Sequence, residues 1–210
     1  MLRRYCLLPA LVLGYHLSAL AETCSYQSYQ WNTLRQQAEN FVRVRKSYAD
    51  LDASEIDVAT GCTVCEEDQS WIEIAGLEPV RVCKSLAVRV REILVDAVAG
   101  GFEIRTLVGY RVGKTRGEVD GGGRRTGFSN HSFGIAIDIN IESNGLYANC
   151  LEFGPQCRLL RGGHWRPATD PLSITADSRL VRSMKSAGFH WGGEISGRQK
   201  DFMHFSPSGY

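Results

Sequence analysis

The sequence predicts an α+β fold, a small antiparallel sheet flanked by helices and stapled by disulfides. Three observations lead there. Ile135, Ile137, Ile139 and Ile141 alternate with Ala136, Asp138 and Asn140, the period of a strand with one buried face. Leu86, Val90, Ile93, Leu94 and Ala97 recur at helical spacing before Gly100-Gly101, and Leu180, Val181, Met184 and Ala187 do so before Gly188; both stretches have the stop signal of a helix. The third is that, of seven cysteines, Cys6 falls in the expected leader and an even set remains, Cys24, Cys62, Cys65, Cys83, Cys150 and Cys157, which in an exported chain points to bridges.

Export is expected from the first residues. Met1-Leu2-Arg3-Arg4 leads into an apolar run from Tyr5 to Leu17 and then Ser18-Ala19-Leu20-Ala21, the pattern of a signal peptide over residues 1–21. The run is shorter than the ~20 residues needed to span a bilayer, and it contains Pro9, Gly14 and His16. The mature chain is thus expected to be secreted or periplasmic, with no membrane span after signal removal. Of 210 residues, 189 remain, enough for one domain with a real core. Losing Arg3 and Arg4 leaves 22 basic residues against 23 acidic, a balance that gives no electrostatic case for nucleic acid or an anionic membrane.

The elements follow in order. From Trp31, Leu34, Ala38, Phe41 and Val42 recur with Arg35, Gln36, Glu39 and Arg43 between them, which predicts an amphipathic helix. Leu51 to Asp68 is polar, acidic and cysteine-bearing, a stapled connection. Trp71–Ile74 and Val80–Val82 alternate like short strands around Gly76, and a helix begins near Ser85. Phe102 to Tyr110 reads as a strand whose end places Arg111 on the opposite face from Phe102, Ile104, Thr106 and Val108. Val112 to Phe128, with six glycines and no periodicity, is expected to be a mobile surface loop. Residues 22–84 then form an N-terminal helical, cysteine-bearing segment and residues 85–210 the functional domain.

Cys150 and Cys157 flank Gly154-Pro155, a turn signal that suggests a local clip. Cys62-Thr-Val-Cys65 allows a redox pair or half a zinc knuckle. A structural role ranks above both, since no second close pair completes a four-ligand set.

Two segments carry chemistry: Ser129–Asn140, SNHSFGIAIDIN, and Trp191–Phe205, WGGEISGRQKDFMHF. On one unbroken strand, His131 and Asp138 would point to opposite faces. Gly134 permits the bend that lets both face one point. Asp201 and His204, three residues apart, supply a proton-handling carboxylate and a further imidazole, with Asp201 in a turn entering the strand of His204. Imidazole and carboxylate are zinc ligands, and are also ordinary surface groups. Ser129 contacts substrate, orients His131 or caps a turn; Trp191 walls a pocket or packs in the core. Glu194 is a rival base, and His164 and His190 lack a partner at useful spacing.

These residues resemble the zinc D,D-carboxypeptidases, D,D-dipeptidases and L-alanyl-D-glutamate endopeptidases that trim bacterial peptidoglycan, a family with a hedgehog-like fold. The resemblance lies in Ser129, His131, Gly134, Ala136 and Asp138, in Trp191-Gly192-Gly193 followed by Asp201-x-x-His204-Phe205, and in Gly109-Tyr110-Arg111. It covers roughly the last hundred residues. It implies zinc on His131, Asp138 and His204, Asp201 as general base, Arg111 as stabiliser of the charged carbonyl oxygen, and Ser129 and Trp191 beside the substrate, a peptidoglycan peptide. D-Ala-D-Ala, L-Ala-D-Glu and a cross-bridge amide all remain open as the bond cut. Two other classes compete with a peptidase: a non-catalytic zinc-containing cell-wall-binding module of the same fold, and a thiol oxidoreductase built on Cys62 and Cys65.

Overall fold

A computed structural model describes residues 23–209; the expected signal peptide lies outside them. The chain opens with a long hairpin, β1 (Thr23–Asn32) and β2 (Gln37–Ser47), followed by β3 (Gln69–Ile72), β4 (Val80–Cys83) and helix α1 (Lys84–Ala99). Then come β5 (Leu107–Val108), β6 (Lys114–Val119), β7 (Arg125–Phe128), β8 (Ile137–Ile139), β9 (Leu146–Ala148) and β10 (Arg158–Arg161). Helix α2 (Arg179–Ser186), β11 (His190–Trp191), β12 (Gln199–Asp201) and β13 (His204–Ser206) complete it. The strands form sheets ordered β2-β1-β6-β7, β10-β9-β12, β11-β13-β8-β5 and β3-β4. The α+β expectation therefore holds, and no described helix is long and apolar enough to cross a membrane.

Both C-terminal helices form where the apolar spacing places them. Val90, Ile93, Leu94 and Ala97 of α1 and Leu180, Val181 and Met184 of α2 are buried in one core with Ile137, Ile139 and Phe205. Burying each large aliphatic side chain contributes roughly 1.5–3 kcal/mol. The core thus presses on one face of the β11-β13-β8-β5 sheet and leaves the other for chemistry.

The expected helix from Trp31 is instead the β1–β2 hairpin. Asn32 Oδ1 accepts the backbone N–H groups of Leu34 and Arg35, at 3.0 Å each, and this local turn competes with helix formation. Gln36 and Asn40 adopt positive φ. The apolar residues that suggested a buried stripe are outside: Leu34 is 78% exposed and Phe41 61%. The expected loop from Val112 to Phe128 is likewise the β6–β7 hairpin, whose turn is closed by Asp120 Oδ1 accepting from Gly122 N (2.8 Å) and Arg124 N (2.9 Å). Of the strand expected over Phe102–Tyr110, only Leu107–Val108 pairs. Upstream of it the Asn140 side chain substitutes for a neighbouring strand, accepting from Arg105 N at 2.7 Å and donating to Glu103 O at 2.8 Å.

The disulfides are Cys24–Cys65, Cys62–Cys83 and Cys150–Cys157. The last is the expected local clip. Cys62 and Cys65 are bonded to separate partners, so they form neither a redox pair nor part of a zinc knuckle. Gln30 pairs with Lys114 between β1 and β6, which ties the N-terminal hairpin to the sheet beside the cleft.

Candidate metal centre

Asp138 sits on the central strand β8, directly opposite His204 on β13 and Val108 on β5. Cross-strand partners share a face, so Asp138 and His204 point together away from the core, while Ile137, Ile139 and Phe205 fill it. His131 comes from the short helical turn Asn130–Phe133, which ends at Gly134 with φ +66°. That left-handed residue turns the chain into β8, as the spacing of His131 and Asp138 requires. A Cβ there would meet Gln69 Oε1 at 2.0 Å and Cys83 N at 2.6 Å. The turn is held down as well, because Cys83 N donates to Gly134 O at 2.8 Å and Cys83 is disulfide-bonded.

One ligand atom from each of His131, Asp138 and His204 lies within 4.8 Å of the others, and all three residues are buried. Asp138 Oδ1 is 3.1 Å from His131 Nε2 and 3.0 Å from His204 Nδ1. The tautomer of His131 tests the fit of a cation. Its Nδ1 faces the Gly109 carbonyl at 2.8 Å, an acceptor only, so Nδ1 carries a proton. In the neutral ring Nε2 then offers a lone pair toward a carboxylate oxygen, two acceptors face to face. A proton or a metal ion must reconcile them, and a carbonyl that accepts from the far nitrogen of an imidazole fixes its tautomer and aims the other nitrogen at a metal. The residues fit a divalent metal of the zinc type.

Electrostatics agree. Burial opposes ionisation of Asp138, but the charges and hydrogen bonds of His131 and His204 outweigh it and hold the carboxyl well below its ordinary value. Asp201 behaves oppositely. Burial pushes its carboxyl up from 3.8 to about 7; His204 pulls against this, Asp138 adds to it, and Arg111 and Arg161 pull it back further. Its Oδ1 is buried without a hydrogen-bond partner.

Asp201 ends β12 rather than lying in a turn, and Phe202-Met203 carries the chain from there into β13. Phe202 fixes this step. Its ring stacks on Trp165 with centroids 4.0 Å apart, and its carbonyl accepts from Trp191 Nε1 at 2.8 Å. Trp191 is therefore buried in the core, the other of its two expected places, and is not among the residues that line the cleft. Arg111 is half-buried at the cleft, its Nη2 3.6 Å from Asp138 Oδ2 and its Nη1 3.4 Å from Tyr29 Oη. Ser129 also lines the cleft, with its Oγ 3.4 Å from Ser132 Oγ. Glu194 is exposed and paired with Lys185 at 2.8 Å, away from these groups.

The cleft over the cluster has a volume of about 950 Å³. Sequence reasoning missed Trp31, Arg116, Arg125, Arg158 and Arg161, which all line it. Their signal depends on the hairpins and on a strand irregularity that periodicity does not reveal.

Comparison with known proteins bears on part of this geometry. No curated protein and no solved structure matches the chain. Residues 122–207, which span β7 to β13 and contain His131, Asp138, Asp201 and His204, match the family model for D-alanyl-D-alanine carboxypeptidase. This match and the buried His-Asp-His cluster together support a metallopeptidase-like function.

Proposed function

We propose that this protein is a zinc peptidase that hydrolyses an amide bond in peptidoglycan stem peptides outside the cytoplasm. The observation that carries the reading is the convergence of His131, Asp138 and His204 on one point, with Asp201, whose Oδ1 has no hydrogen-bond partner, in the same cleft. Zinc held by the three residues would act as a Lewis acid on the carbonyl and lower the pKa of a water to about 7.

The protein's own groups account for the proton and the charge. Asp201, with its carboxyl near 7, is matched to accept a proton at neutral pH and return it. It takes one proton from the attacking water as the C–O bond forms, and gives it to the amide nitrogen as the C–N bond breaks. Arg111 faces the same space with a fixed positive charge, suited to the negative charge that builds on the carbonyl oxygen. Ser129 borders the cleft where the substrate backbone would lie. Asp138, kept ionised by its histidine neighbours, remains a ligand and leaves the proton work to Asp201.

The test is metal analysis paired with product mass. Purified protein should hold about one zinc per chain, lost in His131→Ala or His204→Ala, and should cleave a defined muropeptide. Asp201→Ala should keep the metal and lose cleavage by about 10²-fold or more. Full activity in a chelated, metal-free sample would end the proposal, and tight muropeptide binding without product over long incubation would favour a binding module instead.

A further inference from the structure

The cleft continues past the His-Asp-His cluster, and its charge is lopsided. Arg111, Arg116, Arg125, Arg158 and Arg161 line it against the carboxylates of Asp138 and Asp201, in a chain of formal net charge +1. Three of the arginines have partners in the protein: Arg111 meets Asp138, Arg116 donates to Asn130 Oδ1 at 3.0 Å, and Arg125 donates to the Gly117 carbonyl at 2.6 Å. Among the described residues, no ion pair involves Arg158 or Arg161.

The β10-β9-β12 sheet accounts for their placement. Arg158 pairs with Ala148 and Arg161 with Leu146, while Gln199 and Asp201 pair with the same two residues from the other side. Arg161, Leu146 and Asp201 thus form one row across the sheet, and Arg158, Ala148 and Gln199 the next. Ala148 and Leu146 are two apart, so both rows share a face. On a regular strand, residues three apart such as Arg158 and Arg161 would face opposite ways. The register shifts between Leu159 and Arg161, and this bulge at Leu160 turns Arg161 to the side of Arg158. Trp31 of the N-terminal hairpin then lies against the guanidinium of Arg161, with its ring centroid 5.3 Å from Cζ. Arg161 attracts the Asp201 carboxyl across the sheet without an ion pair to it, and two guanidinium groups that line one cleft favour a further anion between them.

We infer that Arg158 and Arg161 form a carboxylate subsite, so that the preferred peptides carry a free carboxylate two or three residues from the amide that is cut. The inference rests on the peptidase reading above and adds a substrate class to it. Asp201 and Arg161 stand two strands apart, about 10 Å. An extended peptide advances about 3.3–3.6 Å per residue, which sets the spacing at three residues, or two where the arginine leans toward Asp201. The planar fork of a guanidinium suits two-point binding of a carboxylate, and Trp31 acts as a positioning residue for Arg161.

Peptides made in pairs, identical except that the carboxylate two or three residues from the scissile amide is free or amidated, provide the test. With the zinc-loaded full chain, kcat/KM should be about 10- to 100-fold higher for the free acid, with the difference in KM. Arg158→Gln with Arg161→Gln should lower the acid's value to that of the amide, and Trp31→Ala should raise KM for the acid while sparing kcat. Arg91→Gln, on the exposed side of α1, should alter neither. Calorimetry with the same pairs, their scissile amide replaced by a non-hydrolysable amine, reads binding without turnover and should show the same preference. Equal turnover and equal binding of acid and amide overturn the subsite and leave the peptidase reading intact. Acid-selective binding without hydrolysis of either peptide overturns the peptidase reading and leaves the subsite standing.

Discussion

Replacing Asp201 with Asn should make the metal-free protein more stable at alkaline pH, while the zinc-loaded protein loses activity. In the folded chain, burial chiefly raises the carboxyl from 3.8 to about 7. At 1.36 kcal/mol per pKa unit, holding it ionised costs up to about 4 kcal/mol. The cleft side of the residue is open to solvent, which screens the charge and brings the expected figure to about 2 kcal/mol. The sign follows from proton binding. Above pH 3.8 the unfolded carboxyl ionises while the folded one does not, so the wild type loses stability as pH rises from about 4 to about 7 and no more beyond. Asparagine does not titrate, and both side chains bury a polar atom at Oδ1, so that cost largely cancels. Urea unfolding of chelated wild type and Asp201→Asn, disulfides intact, should give matching stabilities at pH 4 and an advantage of about 2 kcal/mol for the variant at pH 8. The zinc-loaded variant should lose cleavage by about 10²-fold or more, an exchange of stability for activity within one side chain. The same stability difference at both pH values, or a less stable variant at pH 8, would show that Asp201 carries no burial penalty and would remove the physical ground for treating it as the base.

Other outcomes are expected elsewhere in the fold. Gly134→Ala should cost more than about 2 kcal/mol, from the left-handed φ of +66° and overlap with Gln69 and Cys83; Gly61→Ala, at φ +71° with nothing within 4 Å, should cost only about 1 kcal/mol in the same denaturant titration. Glu55→Gln should destabilise by about 2–4 kcal/mol at pH 7, since the buried Glu55 pairs with Lys46 at 2.6 Å and accepts from Tyr26. Burial works against ionisation of Glu55, but Lys46, Tyr26 and the Asp52 N–H more than offset it and lower the carboxyl from 4.5. Its contribution is therefore present above pH 4.5 and fades as pH falls through the lowered value, and unfolding curves of the two proteins should converge in acid.

How much of this was legible in the sequence depended on whether a local period survived in the tertiary structure. The isoleucine alternation from Ile135 and the apolar faces of α1 and α2 did, because one buried face selected those residues. The N-terminal hairpin did not. Leu34, Phe41 and Val42 imitate a helical stripe while lying exposed, and the alternation that mattered, with Cys24, Tyr26 and Ser28 buried along β1, is carried partly by polar side chains. Gly134 could be inferred as a bend because two candidate ligands seven residues apart need one. Trp191 could not be placed, since an aromatic beside two glycines suits a pocket wall and a core equally well, and its hydrogen bond to Phe202 O depends on a turn that periodicity does not reveal.

The cleft arginines show where sequence reading stops, and why. Arg158 and Arg161 are three residues apart on a strand, a spacing that argues against a shared role until the bulge at Leu160 is known. Arg161 also meets Trp31, about 130 residues away in the chain. By contrast His131, Asp138, Asp201 and His204 were readable because each metal or proton role restricts residue type tightly, whereas a charged cleft wall restricts only the sign. The two layers therefore differ in what tolerates change. Moving Asp138, Asp201 or His204 by a single register step would turn it to the wrong face, but the arginine wall needs only positive charge on the β10 side of the cleft, so variation in substrate choice should concentrate there and on the hairpin that carries Trp31.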